Sequence, residues 1–338
     1  MSDRREEIPG APLLEALVPP VIGAAESRIA AATPPAFGVP AAVPASAPRE
    51  PIWSNLLALI TAPIASSIAS GFALVAYVAL REPSVLRGDL QRKLPEWIDE
   101  HVGDAGLTFA LIVPAQLGML VTALIFALPS RENVFRRLGF VRGTASARTI
   151  AWAVLGTLGV QFAISCVADL LIDDYSESLQ KIWKMFSVPT GVAAVLVGLL
   201  MSVMPGICEE SLFRGCSQRG LLRRWRPFTA ILVASAAFAL AHLDWQHSPA
   251  VFPLGVWFGI VAWRTGSIWP SIACHFANNA FAFVVGRMWG DPESGEVRGH
   301  ALYYGSGVVF LVCTVVASFA LARTRPPEEL APRTVVAA

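Results

Sequence analysis

The sequence predicts an all-α fold: a polytopic membrane helical bundle of about eight transmembrane helices, with both termini cytosolic. Three observations carry that prediction. Hydrophobic residues make up 54% of the 338-residue chain and charged residues only 15%, with a mean hydropathy of +0.56, where a soluble domain is about one-quarter charged. Eight stretches approach the ~20 apolar residues that a hydrocarbon core of ~30 Å requires at 1.5 Å per residue, and within lipid runs of that length satisfy their backbone groups as helices. With the N-terminus placed in the cytosol, 18 of the 26 Lys and Arg residues fall on inner segments and 8 on outer ones, the asymmetry expected of cytoplasmic loops.

Taken in order, residues 1–50 are rich in Ala and Pro, hold no apolar run long enough to cross, and lack the apolar core and cleavage site of a signal peptide; they read as a disordered cytosolic arm. Three membrane helices follow within 51–187, at Trp53–Leu80, Gly106–Leu128 and Thr149–Leu171. The fourth span, Val188–Gln218, and the fifth, Pro227–Leu243, form a hairpin about the basic turn Arg219–Arg226, with Pro227 suited to a first helical turn. The sixth, Pro249–Trp263, is short and holds Pro253, which predicts a tilt, a kink or a re-entrant course. Ser267–Arg287 and Ala301–Ala322 complete the set, and the tail beyond Arg323 reads as unstructured.

Net charge is +1 with no basic block, so the chain has no electrostatic footprint for nucleic acid. The five cysteines, Cys166, Cys208, Cys216, Cys274 and Cys313, show no Cys-x-x-Cys spacing and read as small core residues rather than as a disulfide frame or a thiolate zinc site. Use of 23 Arg against 3 Lys, together with abundant Ala, points to a high-GC bacterial genome and hence to the bacterial inner membrane.

Against this apolar background two adjacent carboxylates, Glu209 and Glu210, interrupt the fourth span, and Arg214 follows one turn later. An ionisable side chain at the centre of a membrane helix costs roughly 2.5–3.5 kcal/mol or more, so the cluster requires a partner or a function. Two later spans each bring a histidine: His242 at the end of the fifth, and His275 with Asn278 and Asn279 in the seventh. At the helical rise Glu209, His242 and His275 lie about 16, 24 and 13 Å from the cytosolic end of their helices, close enough in depth to converge on one pocket once tilt is allowed. Glu210 and Arg214 share a face as i and i+4 and predict a partly buried ion pair, while Glu209, rotated about 100°, is free to point at the histidines. His275 and Asn279 share a face in the same way. Asn278 falls on another, so Asn279 is the preferred amide.

These groups fit peptide hydrolysis: a desolvated carboxylate beside an imidazole takes a proton from water, and an imidazole N–H with an amide N–H supplies donors to an oxyanion. The same Glu, His, His set, Glu209, His242 and His275, also suits catalytic zinc with an open position, although the helical His-Glu-x-x-His signature is absent. A buried salt-bridge network that fixes helix packing is the bland alternative for Glu209, Glu210 and Arg214. A proton-coupled transporter and a non-catalytic membrane scaffold or immunity-type protein are the functional ones. His101, His247, His300 and Asp244 fall in outer loops or turns and are assigned no role.

The set Glu209-Glu210-x-x-x-Arg214, Phe238-x-x-x-His242 and His275-x-x-x-Asn279 resembles the CAAX-prenyl endopeptidase and bacteriocin-processing (CPBP, or ABI) family of intramembrane proteases, over about Val188 to Arg287. The resemblance implies a catalytic core at 188–290, preceded by three embellishing helices at 51–187 and followed by a final helix and tail at 291–338. It implies an endopeptidase for membrane-associated peptide or protein substrates, prenylated CAAX proteins in the family's eukaryotic members, in which Glu209 and His242 activate water and His275 and Asn279 stabilise the oxyanion. Glu210 and Arg214 then organise the site. Members are described both as metalloproteases and as glutamate proteases, so zinc on Glu209, His242 and His275 and a metal-free reaction are both implied.

Overall fold

A computed structural model describes residues 52–289 and 301–330. The expectations for the N-terminal arm, for His300 and for the last eight residues lie outside the described residues. In chain order the helices are α1 (Ile52–Arg81), α2 (Leu90–His101), α3 (Ala105–Ala127), α4 (Val134–Arg137), α5 (Ala147–Leu171), α6 (Glu177–Ser187), α7 (Gly191–Glu210), α8 (Arg219–Leu222), α9 (Pro227–Leu240), α10 (His247–Thr265), α11 (Trp269–Trp289) and α12 (Ala301–Arg323). No strand occurs among the described residues. Between α7 and α8 the chain does not leave the helix; residues Ser211–Gln218 wind as a π-helix.

Each of the eight anticipated spans is helical, but five of the resulting helical segments are long and apolar enough to cross a membrane: α1, α3, α5, the continuous rod Gly191–Leu222 and the Gly305–Arg323 part of α12. This makes the chain an integral, multi-pass membrane protein. The shortfall from eight has a physical cause. Helix α9 has 14 residues, about 21 Å of rise, and α10 and α11 reach the length but carry the histidines, amides and prolines that dilute their apolarity. Helix α10 runs unbroken through Pro253.

The loops between spans hold helices that hydropathy does not mark. Helices α2 and α6 are amphipathic and start at side-chain caps, Asp89 accepting from the Arg92 N–H and Ser176 from that of Leu179, bonds that satisfy otherwise orphaned first-turn donors. Asp104 caps α3 in the same way.

Helix α7, the π segment and α8 form the axis of the bundle. Helices α3 and α11 pack on α7, and α1, α3, α9 and α10 pack on the π segment. The N-terminal half of α7 turns Val192, Val195, Leu196 and Leu199 outward, whereas every residue from Cys208 to Leu222 is buried. Two contacts explain how a segment containing Arg214 and Gln218 is enclosed. Arg214 Nη2 donates to the Gly255 carbonyl at 2.9 Å and Gln218 Nε2 to the Gly259 carbonyl at 2.9 Å. A Cβ at Gly259 would stand 2.7 Å from Gln218 Oε1, so glycine is what lets this side chain reach the α10 backbone. On the other side Arg137 of α4 donates to the carbonyls of Gly215 and Cys216 and, at 2.8 Å, to Asn55 of α1. Four of the five cysteines are buried as core residues, but Cys166 is exposed, on the outer face of α5.

Candidate active site

The two carboxylates stand at the junction of α7 with the π segment and are both buried. A π-helix takes more residues per turn than an α-helix and is enriched at functional sites; Glu209 and Glu210, adjacent at the end of α7, serve different partners. The ion pair read from the i, i+4 spacing is present, with Arg214 Nη1 2.8 Å from Glu210 Oε1 and both side chains 0% exposed. The guanidinium carbon lies 4.5 Å from the ring centre of Phe238 and 5.4 Å from that of Phe258. Aromatic faces therefore help replace the water the cation has lost.

Glu210, rather than Glu209, takes the shorter contact with His275: Nδ1 of the imidazole lies 2.9 Å from Glu210 Oε1. A carboxylate only accepts, so Nδ1 carries the proton and Nε2 is turned the other way, 3.9 Å from Glu209 Oε2. Phe258 stacks on the imidazole at 5.0 Å and Phe238 meets its edge at 5.8 Å. Arg214, Glu210 and His275 thus form one chain of contacts whose end, Nε2, points at Glu209.

His242 closes the other side. Its Nδ1 contacts the Phe238 carbonyl at 2.9 Å, which fixes the tautomer as Nδ1–H and leaves Nε2 as an acceptor. Phe238 separates the two imidazoles, with its ring centre 5.1 Å from that of His242. His247, an outer-turn residue in the sequence reading, comes into the site edge-on to His242 at 4.7 Å. On α11, Asn279 Nδ2 donates to the Met201 carbonyl at 3.1 Å and its Oδ1 accepts from Asn278 Nδ2 at 3.1 Å. The preferred amide keeps one uncommitted N–H, and the Asn278 carbonyl oxygen has no protein partner.

Glu209, His242, His247, His275, Asn278 and Asn279 border one cavity of about 480 Å³, within the range of small-molecule sites, while Glu210 and Arg214 lie behind its wall. The rest of its wall is mostly apolar, and a good part of it comes from α6 through Leu179, Ile182, Trp183, Met185 and Phe186. That helix is fastened at both ends. Ser176 and Ser178 donate to Asp244, and Ser176 N–H donates to Gln246 Oε1 at 2.6 Å. At the other end Arg287 donates to the Phe186 and Ser187 carbonyls. Burial alone would raise the Asp244 carboxyl, but the bonds from Ser176, Ser178 and the N–H groups of His247 and Gln246 outweigh it and hold the pKa down at about 2.

Sequence reasoning missed Gln116, whose Nε2 donates to Glu209 Oε1 at 2.8 Å from α3. The signal was available: Gln116 is the only amide side chain in its span, and an isolated strongly polar residue at mid-membrane asks for a partner. Helix α6 and His247 were missed because polar loop sequence hides both.

Among the described residues no group of three His, Cys, Asp or Glu side chains is gathered to hold a metal ion; the donors left free of protein partners are Glu209 Oε2 and the Nε2 atoms of His242 and His275.

Residues 191–281 match the family model for Rce1-like, type II CAAX prenyl endopeptidase, and the matched stretch contains Glu209, Glu210, Arg214, His242, His275 and Asn279. Over this stretch the chain is similar to the type II CAAX prenyl endopeptidases. The chain is also similar to the protein named "Putative membrane peptidase YdiL" of Bacillus subtilis (strain 168), 26% identical over 142 residues, which cover 40% of this chain and 56% of that one. The chain therefore spans about half the length of this curated relative. No solved structure matches. The match runs from the start of α7 to residue 281 within α11; the α3 residue Gln116 and the α6 wall of the cavity lie outside it.

Proposed function

We propose that the protein is an intramembrane endopeptidase of the CAAX type, acting on membrane-associated peptide substrates in a bacterial inner membrane. The observation that carries the reading is the single cavity of about 480 Å³ that brings Glu209, His242, His275 and Asn279 together inside a bundle of membrane helices. In this reading Glu209, with His242, takes a proton from a water as the water oxygen bonds to the scissile carbonyl carbon. The negative charge formed on the carbonyl oxygen is met by the Asn279 N–H and by an N–H on His275 Nε2. The C–N bond then breaks as the proton passes to the leaving amine nitrogen, giving one carboxylic acid and one amine from one water.

The tautomer sets a condition. With Nδ1–H given to Glu210, His275 offers an N–H at Nε2 only as the imidazolium. Glu210 and Arg214 touch neither water nor substrate in this scheme; they hold His275. No step is routed through a metal. The apolar wall supplied by α6 suits a hydrophobic or lipid-modified side chain, and a prenylated CAAX-like substrate is the specific form suggested by the family.

Comparison of membranes from cells carrying the wild type and the Glu209→Gln variant tests the reading. An uncleaved precursor should accumulate in the variant, since Gln keeps the shape and removes the base. Identical membrane proteomes, with both proteins expressed at equal levels, would count against it; partner retention without any processing would favour a scaffold.

A further inference from the structure

Gln116 reaches Glu209 from a part of the chain that the family match does not cover. It is buried on α3, its Nε2 donates to Glu209 Oε1 at 2.8 Å, and it borders the cavity. Because a carboxylate has no proton to give, the amide nitrogen must face Glu209, and the amide oxygen faces away from it. That oxygen, Gln116 Oε1, is buried and has no protein donor. Buried acceptors are nearly always satisfied by protein or ordered water.

The placement of this amide is built into the helix pair α1 and α3. Pro114, two residues before Gln116, removes one backbone donor from α3, and α1 serines bond to the neighbouring carbonyls: Ser70 Oγ to Leu111 at 2.6 Å and Ser66 Oγ to Ala115 at 2.8 Å. At Gly118 a Cβ would stand 3.0 Å from the Ser66 Cα, so the two backbones run in close contact there, as small residues permit between membrane helices. Two serine bonds and one glycine contact thus fix α3 on either side of Gln116.

Resting on the endopeptidase reading, we propose that Gln116 is a positioning residue for hydrolysis. Its N–H holds Glu209 by Oε1, so that Oε2 faces His275 and the cavity. Glu209 so held takes one proton from the attacking water as the water oxygen bonds to the carbonyl carbon. The helices before the family core therefore complete the site instead of merely embedding it in lipid.

The test uses the full chain in proteoliposomes and an internally quenched peptide ending in a prenylated CAAX box. Wild type, Glu209→Gln and Gln116→Met are compared; Met keeps length and volume and removes both polar atoms. The expected result is a kcat lowered roughly 10- to 100-fold in Gln116→Met, as for a misplaced reacting group, with KM and thermal unfolding close to wild type. Gln116→Asn, which withdraws the amide by one methylene, should fold and show the same loss. A Gln116→Met enzyme with wild-type kcat would overturn the inference while leaving the endopeptidase reading in place. So would a loss confined to KM, or a failure of both variants to fold, since each would assign Gln116 to packing. A wild type that does not cleave the peptide, or a Glu209→Gln variant that does, strikes the endopeptidase reading itself.

Discussion

Replacing Arg214 by Met should separate what the Glu210 ion pair does for stability from what it does for chemistry. Arg214 and Glu210 are both fully enclosed and 2.8 Å apart, so removing one strands the other; breaking a buried pair in this way costs about 3–5 kcal/mol. The lost bond to the Gly255 carbonyl adds about 1 kcal/mol, and the contacts with Phe238 and Phe258 about 1–2 kcal/mol, although Met recovers part of the packing and these contributions overlap. A net loss of about 3–5 kcal/mol is therefore expected. The double variant Arg214→Met with Glu210→Gln removes both charges together and should regain much of that loss. It should not regain activity, because the oxygen that holds His275 Nδ1 at 2.9 Å is then no longer a carboxylate. Unfolding in mixed detergent micelles, followed by loss of helix signal, measures the three stabilities, and peptide cleavage measures the function. Additive losses in the double variant would refute the coupling. A stable, fully active Arg214→Met would refute the role given to the whole chain from Arg214 to His275.

Asp244 gives a pH dependence with a definite sign. Its folded pKa of about 2 lies below the ordinary ~3.9 of an aspartate, so its contribution is present above about pH 4 and is lost as pH falls toward 2. Hydrogen exchange across residues 174–187 should accelerate over that window, and Asp244→Asn should show the faster exchange already at neutral pH; protection unchanged in both would contradict the fastening of α6. Elemental analysis of purified protein should find well below one zinc per chain, and His242→Ala should not alter it, since no three ligand side chains are gathered among the described residues. One equivalent of zinc that disappears in His242→Ala would reverse that expectation.

Much of the bundle was legible because membrane helices advertise themselves by length and apolarity, and the boundaries of α1, α3 and α5 fall within two residues of those anticipated. The candidate site residues stood out because carboxylates and imidazoles are conspicuous in apolar sequence. What failed depended on neighbours far away in the chain. Helical spacing identified the Glu210–Arg214 pair but not which carboxylate His275 would take, since that is decided by the packing of α11 on α7. The basic-residue count mixed topological signals with structural ones: Arg137, Arg214 and Arg219 are buried, and hold carbonyls or a carboxylate in place of facing cytosolic water. Helix α6 was hidden because a short amphipathic helix reads as an ordinary polar loop until the cavity it walls is seen.

The central claim is that Glu209 acts on a water held in the cavity and does not itself attack the peptide. Single-turnover cleavage of the quenched peptide with excess enzyme in H₂¹⁸O, followed by mass spectrometry of both product and protein, tests it directly. The label should appear in the new carboxyl terminus of the peptide, with Glu209 unlabelled and Glu209→Gln inactive. Label in the Glu209 carboxylate, or cleavage that survives Glu209→Gln, would contradict the account.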